Sequence, residues 1–543
     1  MKKFNLYIIT VLALLFSTVS CLDKSYEDLL TDPNKLAPEA IDINAGISNV
    51  QFAVADMFES AQDAGAELTR LEAMVAWTYA EGMTPGTARD AWDDAYTRII
   101  PEIKLLISKC ETDEKTEPIA MLKILKAYTL MLLVDVWGDV PYSQAMEGVA
   151  NLNPAVDPGS KVYAAALAEL NEAIGLLSQN PNMSLYNDHF YNGDANKWRK
   201  LAKSLKFKYY LNIGNATELQ TLLTENDMLG IGDDFYWKYN STTTPDSRHP
   251  NFTYYIARSP IGTYASNYLM WTMLYEKSVT DPRVRYYIYR QRNSYPSSTD
   301  IPSLVDALPC SDDPYPYTQP GIPFCALPSG YWGRDHGNGD GIPPDGNLRA
   351  TYGIYPAGGR FDGNQKQSVT ESMGYMGAGI SPIMMSSFVD FMIAEAILKH
   401  NLTGGNAATY LQNGVTKSIN FVKDFSAAGA GSSTYVPSTT QINNYITYVV
   451  NAFDTASSTD DKMSLVGKEY WIALYGNGYE AYNLYRRTGK PANMQPMLGG
   501  ASAGAFPKSL YYTIETATLN TSVNQKPNLT QPVFWDTYNQ PLN

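Results

Sequence analysis

The sequence predicts a mainly α fold interrupted by one long irregular insertion. Three observations carry that prediction. Apolar residues recur at three- and four-residue spacing over most of the chain, which puts them on one face of a helix. The pattern stops near Gly232 and returns near Ser381, and Gly, Pro, Asn, Ser and aromatic residues fill the space between. Close to the C-terminus, Trp471, Leu474, Tyr475, Gly478, Ala481, Tyr482 and Tyr485 fall on one helical face. Arg486 and Arg487 place positive charge where that helix's dipole favours it, and Gly489 and Pro491 supply the stop. Gly476 and Gly478 inside this stretch each weaken a helix by roughly 1 kcal/mol against Ala, so a close neighbour is expected there.

Taken in order, the chain opens with Lys2-Lys3, an apolar run from Leu6 to Phe16, and small residues before Cys21. The apolar run is too short to cross a bilayer, so residues 1–20 read as a lipoprotein signal with Cys21 the acylated residue. An ordinary secretory signal with a coincidental cysteine is the alternative, and Thr18 stands where a strict lipobox has Leu. Residues 21–38 are polar and turn-rich, as a tether would be. Helices are expected over Ile47–Glu59 and Leu68–Tyr79, divided at Gly65, and from Ala91 to Lys109. Another runs from Pro118 to Trp137, where Leu122, Leu125, Thr129, Leu132, Leu133 and Val136 share a face. Trp198, Leu201, Ala202, Leu205 and Tyr209 make the next, with lysines opposite that read as a solvated face.

In the insertion, 232–380, only Tyr264–Glu276 reads as helical. Helices resume at Ser381 and continue over Ala407–Phe425 and Ile442–Phe453, while 492–543 shows no period. No boundary between 39 and 543 is strong enough to divide domains, so that span reads as one. Cys310 and Cys325 flank a Pro-rich loop. A disulfide there, worth about 3 kcal/mol by loop closure, and two free thiols both fit an exported chain.

The formal charge of −14, from 41 basic and 55 acidic residues, argues against nucleic acid as partner. Forty Tyr are too many to all find buried partners, so aromatic surface suited to sugars or peptides is expected. Gly500-Ala501-Ser502-Ala503-Gly504 matches a nucleophile elbow, but the last His is His400 and Pro507 follows, so it reads as a small-residue loop. The carboxylate pairs Asp93-Asp94, Asp233-Asp234 and Asp312-Asp313 are adjacent residues, which point apart rather than across a cleft. The four His are scattered with no H-E-x-x-H, so zinc catalysis is not expected. Asp335, Asn338 and Asp340 on the Gly-rich turn Gly333–Gly341 are weak candidates for calcium; a plain turn is the favoured reading.

Four stretches carry wording beyond periodicity: Gly138-Asp139-Val140-Pro141-Tyr142 after a long apolar helix, Trp198–Lys206, Ala394-Glu395-Ala396, and the C-terminal run. The last reads Trp471-Ile472-Ala473-Leu474-Tyr475, then Asn477-Gly478-x-Glu480-Ala481-Tyr482, then Arg486-Arg487-Thr488-Gly489-x-Pro491. Together they resemble the SusD/RagB family, outer-membrane lipoproteins that capture nutrients at the surface of Bacteroidetes-type bacteria. The resemblance implies a SusD-like helical scaffold, about 39–231 and 381–491, with tetratricopeptide-type helix pairs. That scaffold would support the ligand region, about 232–380. It also implies a non-catalytic protein without cofactor that passes a glycan or oligopeptide to a TonB-dependent transporter. A secreted hydrolase of the same nutrient class is the alternative, and an adhesive surface protein a third reading. Sugar and peptide recognition calls for exposed aromatics beside polar groups, so Tyr236, Trp237, Tyr239, Tyr331, Trp332 and Arg334 are the expected contacts. Tyr79 joins them because the family's site lies partly near the loop Gly82–Arg89; Trp92 and Trp137 read as core.

Overall fold

A computed structural model describes residues 42–179, 181–253, 264–293, 329–339, 349–364, 370–372, 374–425, 433–539 and 542. Cys21, the signal and tether, and the Cys310–Cys325 loop lie outside them. The architecture is helical. Helix α1 spans Ile43–Leu68, started by the Asp42 carboxylate, which accepts from the Asn44 and Ala45 amides. It takes in the helix expected over Ile47–Glu59 and runs through Gly65, while the helix expected over Leu68–Tyr79 does not form. The chain then turns, with Arg70 in the left-handed region, and only Tyr79–Gly82 (α2) is helical again. Helix α3 (Arg89–Asp93) passes through a π-turn into α4 (Ile100–Thr112).

Helix α5 (Ile119–Trp137) is buried on almost every side, the signature of a central helix. The two-residue strands β1 (Val140–Pro141) and β2 (Val156–Asp157) lead to α6 (Gly159–Leu177), which packs along α5. Helix α6 was not among those expected from the sequence, although Val162, Ala166, Leu170, Ala173 and Leu177 mark its buried face at helical spacing. Next come α7 (Ala195–Ile213) and α8 (Ala216–Glu225). The basic face of α7 engages carboxylates: Arg199 and Lys203 meet Asp227 at 3.0 and 2.9 Å, and Lys200 meets Asp233 at 2.7 Å.

The insertion is bracketed by β3 (Phe235–Lys238). Within it lie α9 (Asn267–Leu274), α10 (Val284–Tyr287), β4 (Ile288–Tyr289) and β5 (Thr351–Tyr352). Strand β6 (Ile380–Met384) closes it by pairing antiparallel with β3, so Ser381-Pro382 is strand where a helix was expected. Helix α11 (Ser386–His400) starts only beyond, its Ser386 amide donating to Asp234. It packs on α12 (Ala407–Asp424), followed by α13 (Thr439–Thr455) and α14 (Thr459–Ala473).

The C-terminal run is two helices, not one. Gly476 takes φ +85° and ends the first, and Asn477 caps α15 (Gly478–Thr488) through the Glu480 amide. The period survives the break because both helices face the same core. Gly478 sits where a Cβ would lie 2.0 Å from the Ala66 amide nitrogen, and Gly65 faces it with 2.2 Å to the Gly478 carbonyl oxygen. Short α16 (Ile514–Leu519) completes the chain's helices among the described residues.

The family-like residues of α15 serve a buried polar hub. Asp135, fully buried on α5, accepts from Tyr479 Oη at 2.5 Å, Asn483 Nδ2 at 2.9 Å and Trp535 Nε1 at 2.9 Å, and also from Tyr163 Oη. Lys208 meets Glu480 at 2.8 Å, and Arg487 grips Glu395 of α11 through two bonds of 2.6 and 3.0 Å.

Gly478→Ala is expected to cost about 1–3 kcal/mol by overpacking the α1–α15 contact, read as a lower urea midpoint. Gly175→Ala, in α6 with nothing within 4 Å of its Cβ position, is expected to hold or raise that midpoint.

Candidate functional site

A cleft of about 720 Å³ lies between α1 and the segment from Gly82 to Arg98, with Pro250 and Asn251 at its edge. Helix α1 contributes Asp56, Glu59, Ser60, Asp63 and Glu67; the opposite wall contributes Arg89, Asp90, Asp93, Asp94 and Arg98. The Ser60 hydroxyl accepts from the Ala91 amide at 3.1 Å and fixes the two walls together. Glu59, Asp63 and Glu67 recur every fourth residue and so stack along one face of α1.

Burial dominates the electrostatics. It pushes Asp63 up to about 7, helped by the neighbouring Glu59 and opposed by the amides of Asn251 and Gln62. Glu67 is pushed up to about 8 by burial and then by Asp63. Burial raises Asp94 to about 6 against the pull of Arg98, and it raises Asp56 as well. Arg98 is held by Asp56 at 3.0 Å and Asp94 at 2.7 Å.

Trp77, which the sequence reading did not select, is 42% exposed on the loop before α2. Its amide and that of Thr78 donate to Glu81 Oε2 at 3.0 and 3.1 Å, the capping box that starts α2. The Thr78-x-x-Glu81 spacing was visible in the sequence, and it places the tryptophan just outside a helix start. The ring rests on Gly339, where a Cβ would lie 2.9 Å from it. The Gly-rich turn thus seats Trp77, and its Gly337 amide donates to the Met74 carbonyl. Asp335 accepts from Gln495 Nε2 at 2.9 Å; Asp340 lies outside the described residues. Among the described residues no group of three or more His, Cys, Asp or Glu could hold a metal ion.

Most of the expected ligand contacts are interior. Tyr79 is buried, its hydroxyl accepting from Arg70 at 3.0 Å. Tyr239 is buried edge-on to His249. Tyr331 and Trp332 are buried with a guanidinium over each ring, Arg290 at 4.7 Å and Arg349 at 4.3 Å. Arg334 is buried over Tyr264 and donates to the Asn338 carbonyl. The expectation that these five project to solvent is therefore corrected: arginines distant in sequence cover Tyr331 and Trp332, and His249 packs against Tyr239. Tyr236 and Trp237 stay half-buried. Tyr236 lines a second cavity of about 520 Å³ with Lys238, Lys417 and Phe421, while Trp237 packs beside Phe52, His189 and Phe190. The structure does not bring Tyr236 and Trp237 into the acidic cleft. Ser502 is an exposed residue of a short 3-10 turn, donating to the Gly499 carbonyl, without the strand that an elbow requires before it.

Two family models match the chain. One, described as starch-binding and associating with the outer membrane, matches residues 33–299. The other, described as SusD and RagB outer membrane lipoprotein, matches residues 353–529. Among solved structures the chain is similar to a SusD/RagB family protein from Bacteroides thetaiotaomicron, with TM-score 0.67, 18% identity, and coverage of 92% of this chain and 100% of that one. A SusD homologue from Bacteroides fragilis gives TM-score 0.64 at 18% identity over 91% of this chain and 99% of the other. A chitin-binding SusD homologue from Flavobacterium johnsoniae gives TM-score 0.61 at 18% identity over 92% and 99%. No curated protein sequence matches the chain. Among the described residues no helix is long and apolar enough to cross a membrane.

The raised carboxyls fix a pH dependence. The folded chain holds the Asp63 and Glu67 protons more tightly than the unfolded chain does. Their contribution to stability is therefore complete below the ordinary carboxyl range and is lost as pH rises through about 7 and 8. Glu67→Gln, which keeps the shape and removes the ionisation, is expected to raise Tm at pH 8.5 and leave it nearly unchanged at pH 5, measured by calorimetry.

Proposed function

The chain belongs to the SusD/RagB family, and from that premise we propose that it is a cell-surface nutrient-binding lipoprotein. It is anchored in the outer membrane through Cys21. It captures a glycan or an oligopeptide and hands it to a TonB-dependent transporter. Capture works by complementarity, with no bond made or broken, on a scaffold of tetratricopeptide-type helix pairs.

The observation that carries this reading is an open, polar cleft reached from the same short helix that presents Trp77. Gly82, at the end of α2, lines the cleft, and the half-exposed ring stands just before its start. An exposed indole offers the flat apolar face that a sugar or a peptide side chain covers, and the cleft, whose lining does not include that ring, offers carboxyl groups that accept from hydroxyl or amide hydrogens. Tyr236 and Trp237 are further contacts in this proposal, since their rings retain exposure.

One observation favours the hydrolase alternative. A carboxyl pushed up to about 8, as at Glu67, is protonated at neutral pH, as a glycosidase acid must be. Product analysis separates the two. Purified protein incubated with oligosaccharide and peptide libraries is expected to retain ligand and release no shorter products. Trp77→Ala is expected to weaken the retained ligand about tenfold, a loss of roughly 1.4 kcal/mol. Trp332→Ala, which empties a buried site, is expected to lower Tm rather than affinity. Shortened products, or ligand binding indifferent to both Trp77→Ala and Trp237→Ala, would overturn the respective halves of the reading.

A further inference from the structure

The cleft between α1 and the Gly82–Arg98 wall is lined by seven carboxyl groups and only two arginines. Both lining arginines are engaged: Arg98 with Asp56 and Asp94, and Arg89 with Asp93 at 3.3 Å and Glu515 at 2.9 Å. That leaves Glu59, Asp63, Glu67 and Asp90 lining the cavity, with no further lysine or arginine among its described lining residues. The deepest of them is incomplete. Glu59 is 5% exposed; its Oε1 meets Ser381 Oγ and His249 Nε2, the latter at 3.3 Å, while its Oε2 has no hydrogen-bond partner among the described residues. His249 Nδ1 accepts from the Asn251 amide at 3.2 Å, so the ring's proton sits on the side toward Glu59. A buried carboxylate oxygen left without a donor marks a place where a donor is supplied from outside.

We propose that this cleft binds the ammonium or guanidinium groups of a basic, extended peptide segment. The proposal rests on the reading of the protein as a nutrient binder and names the chemistry that one part of it selects. Spacing supports a peptide. Carboxylates four residues apart on a helix lie about 6 Å apart along its axis, and alternate side chains of an extended strand lie about 6.6 Å apart. Two basic residues separated by one other therefore meet two successive acids of the Glu59–Asp63–Glu67 stripe. The described lining contains no aromatic face on which a pyranose ring would stack.

The groups facing the stripe fix its pH response. On α1 they are Asp56, Glu59, Asp63 and Glu67, with Glu72 beyond its end. From the opposite wall come Arg89, Asp90, Asp93, Asp94 and Arg98, and His249 and Tyr239 come from the segment packed over Glu59. Asp63 and Glu67 hold protons near neutrality, so an arriving cation displaces them and binding strengthens with rising pH.

The test uses the mature chain and isothermal titration with acetyl-Lys-Ala-Lys-Ala-Lys-amide. Its side-chain-acetylated counterpart, a glucosamine trimer and neutral oligosaccharides serve as comparison ligands. The lysine peptide is expected to bind at least about tenfold more tightly at pH 8.0 than at pH 5.5, to weaken with added salt, and to lose about tenfold in Asp63→Asn or Glu67→Gln. Glu67→Gln is expected to remain folded at every pH tested, so its loss of affinity reads on the site. Equal binding of the acetylated peptide, affinity that ignores both substitutions, or preference for the glucosamine trimer would overturn the proposal. A wild-type protein that retains neutral ligands but not the lysine peptide sinks this inference alone, whereas failure to retain any ligand sinks the binder reading with it.

Discussion

The scaffold depends on one buried carboxylate. Asp135 lies at zero exposure in the helix most enclosed by others, and an ionised group there is costly unless donors surround it. Four side chains supply them: Tyr163 from the next helix, Tyr479 and Asn483 from α15, and Trp535 from the last irregular stretch. Lys208 stands 3.6 Å away and bridges to Glu480, and Arg487 carries the network on to Asn212 and Glu395. Each Asp135 oxygen accepts from two of them, so removing one donor costs a buried hydrogen bond, roughly 1–3 kcal/mol, without stripping the oxygen bare. The network thus fixes which helices meet and in what register, a specification that apolar packing alone leaves looser.

The same arrangement explains why the C-terminal run reads so distinctively. Tyr479, Glu480, Asn483 and Arg487 each have a buried polar task, while Asn477 holds the carbonyls of Pro382 and Ile383 and caps its own helix. Glycine at 478 is demanded by the Ala66 backbone. A second network makes part of the insertion integral to the scaffold. Arg283 joins Asp281 and Glu469, with Tyr445 and Lys277 alongside, and Tyr475 stacks on Tyr287. The described part of the insertion is therefore a wall of the scaffold.

Fold class, the central helix α5 and the family-like stretches were legible in the sequence because each depends on local spacing. The break between α14 and α15 was not, since apolar period continues across a turn whose two helices share a core. Nor was the burial of Tyr331 and Trp332, because the arginines that cover them stand some forty and seventeen residues away. Trp77 was legible in principle: the capping box beside it marks a helix start, and a tryptophan outside that start has little to pack against. The acid stripe on α1 went unread, although Glu59, Asp63 and Glu67 recur at a period of four. What no spacing reveals is that the opposite wall brings arginines already committed to other carboxylates.

The position of Trp535 has a bearing on the order in which the chain closes. The donors that quiet Asp135 come from both ends of the chain, so the early helices hold a buried carboxylate without its full complement until nearly the whole polypeptide has emerged. The last irregular stretch therefore completes a bond network that the fifth helix begins, and a chain shortened before Trp535 lacks one of its four donors.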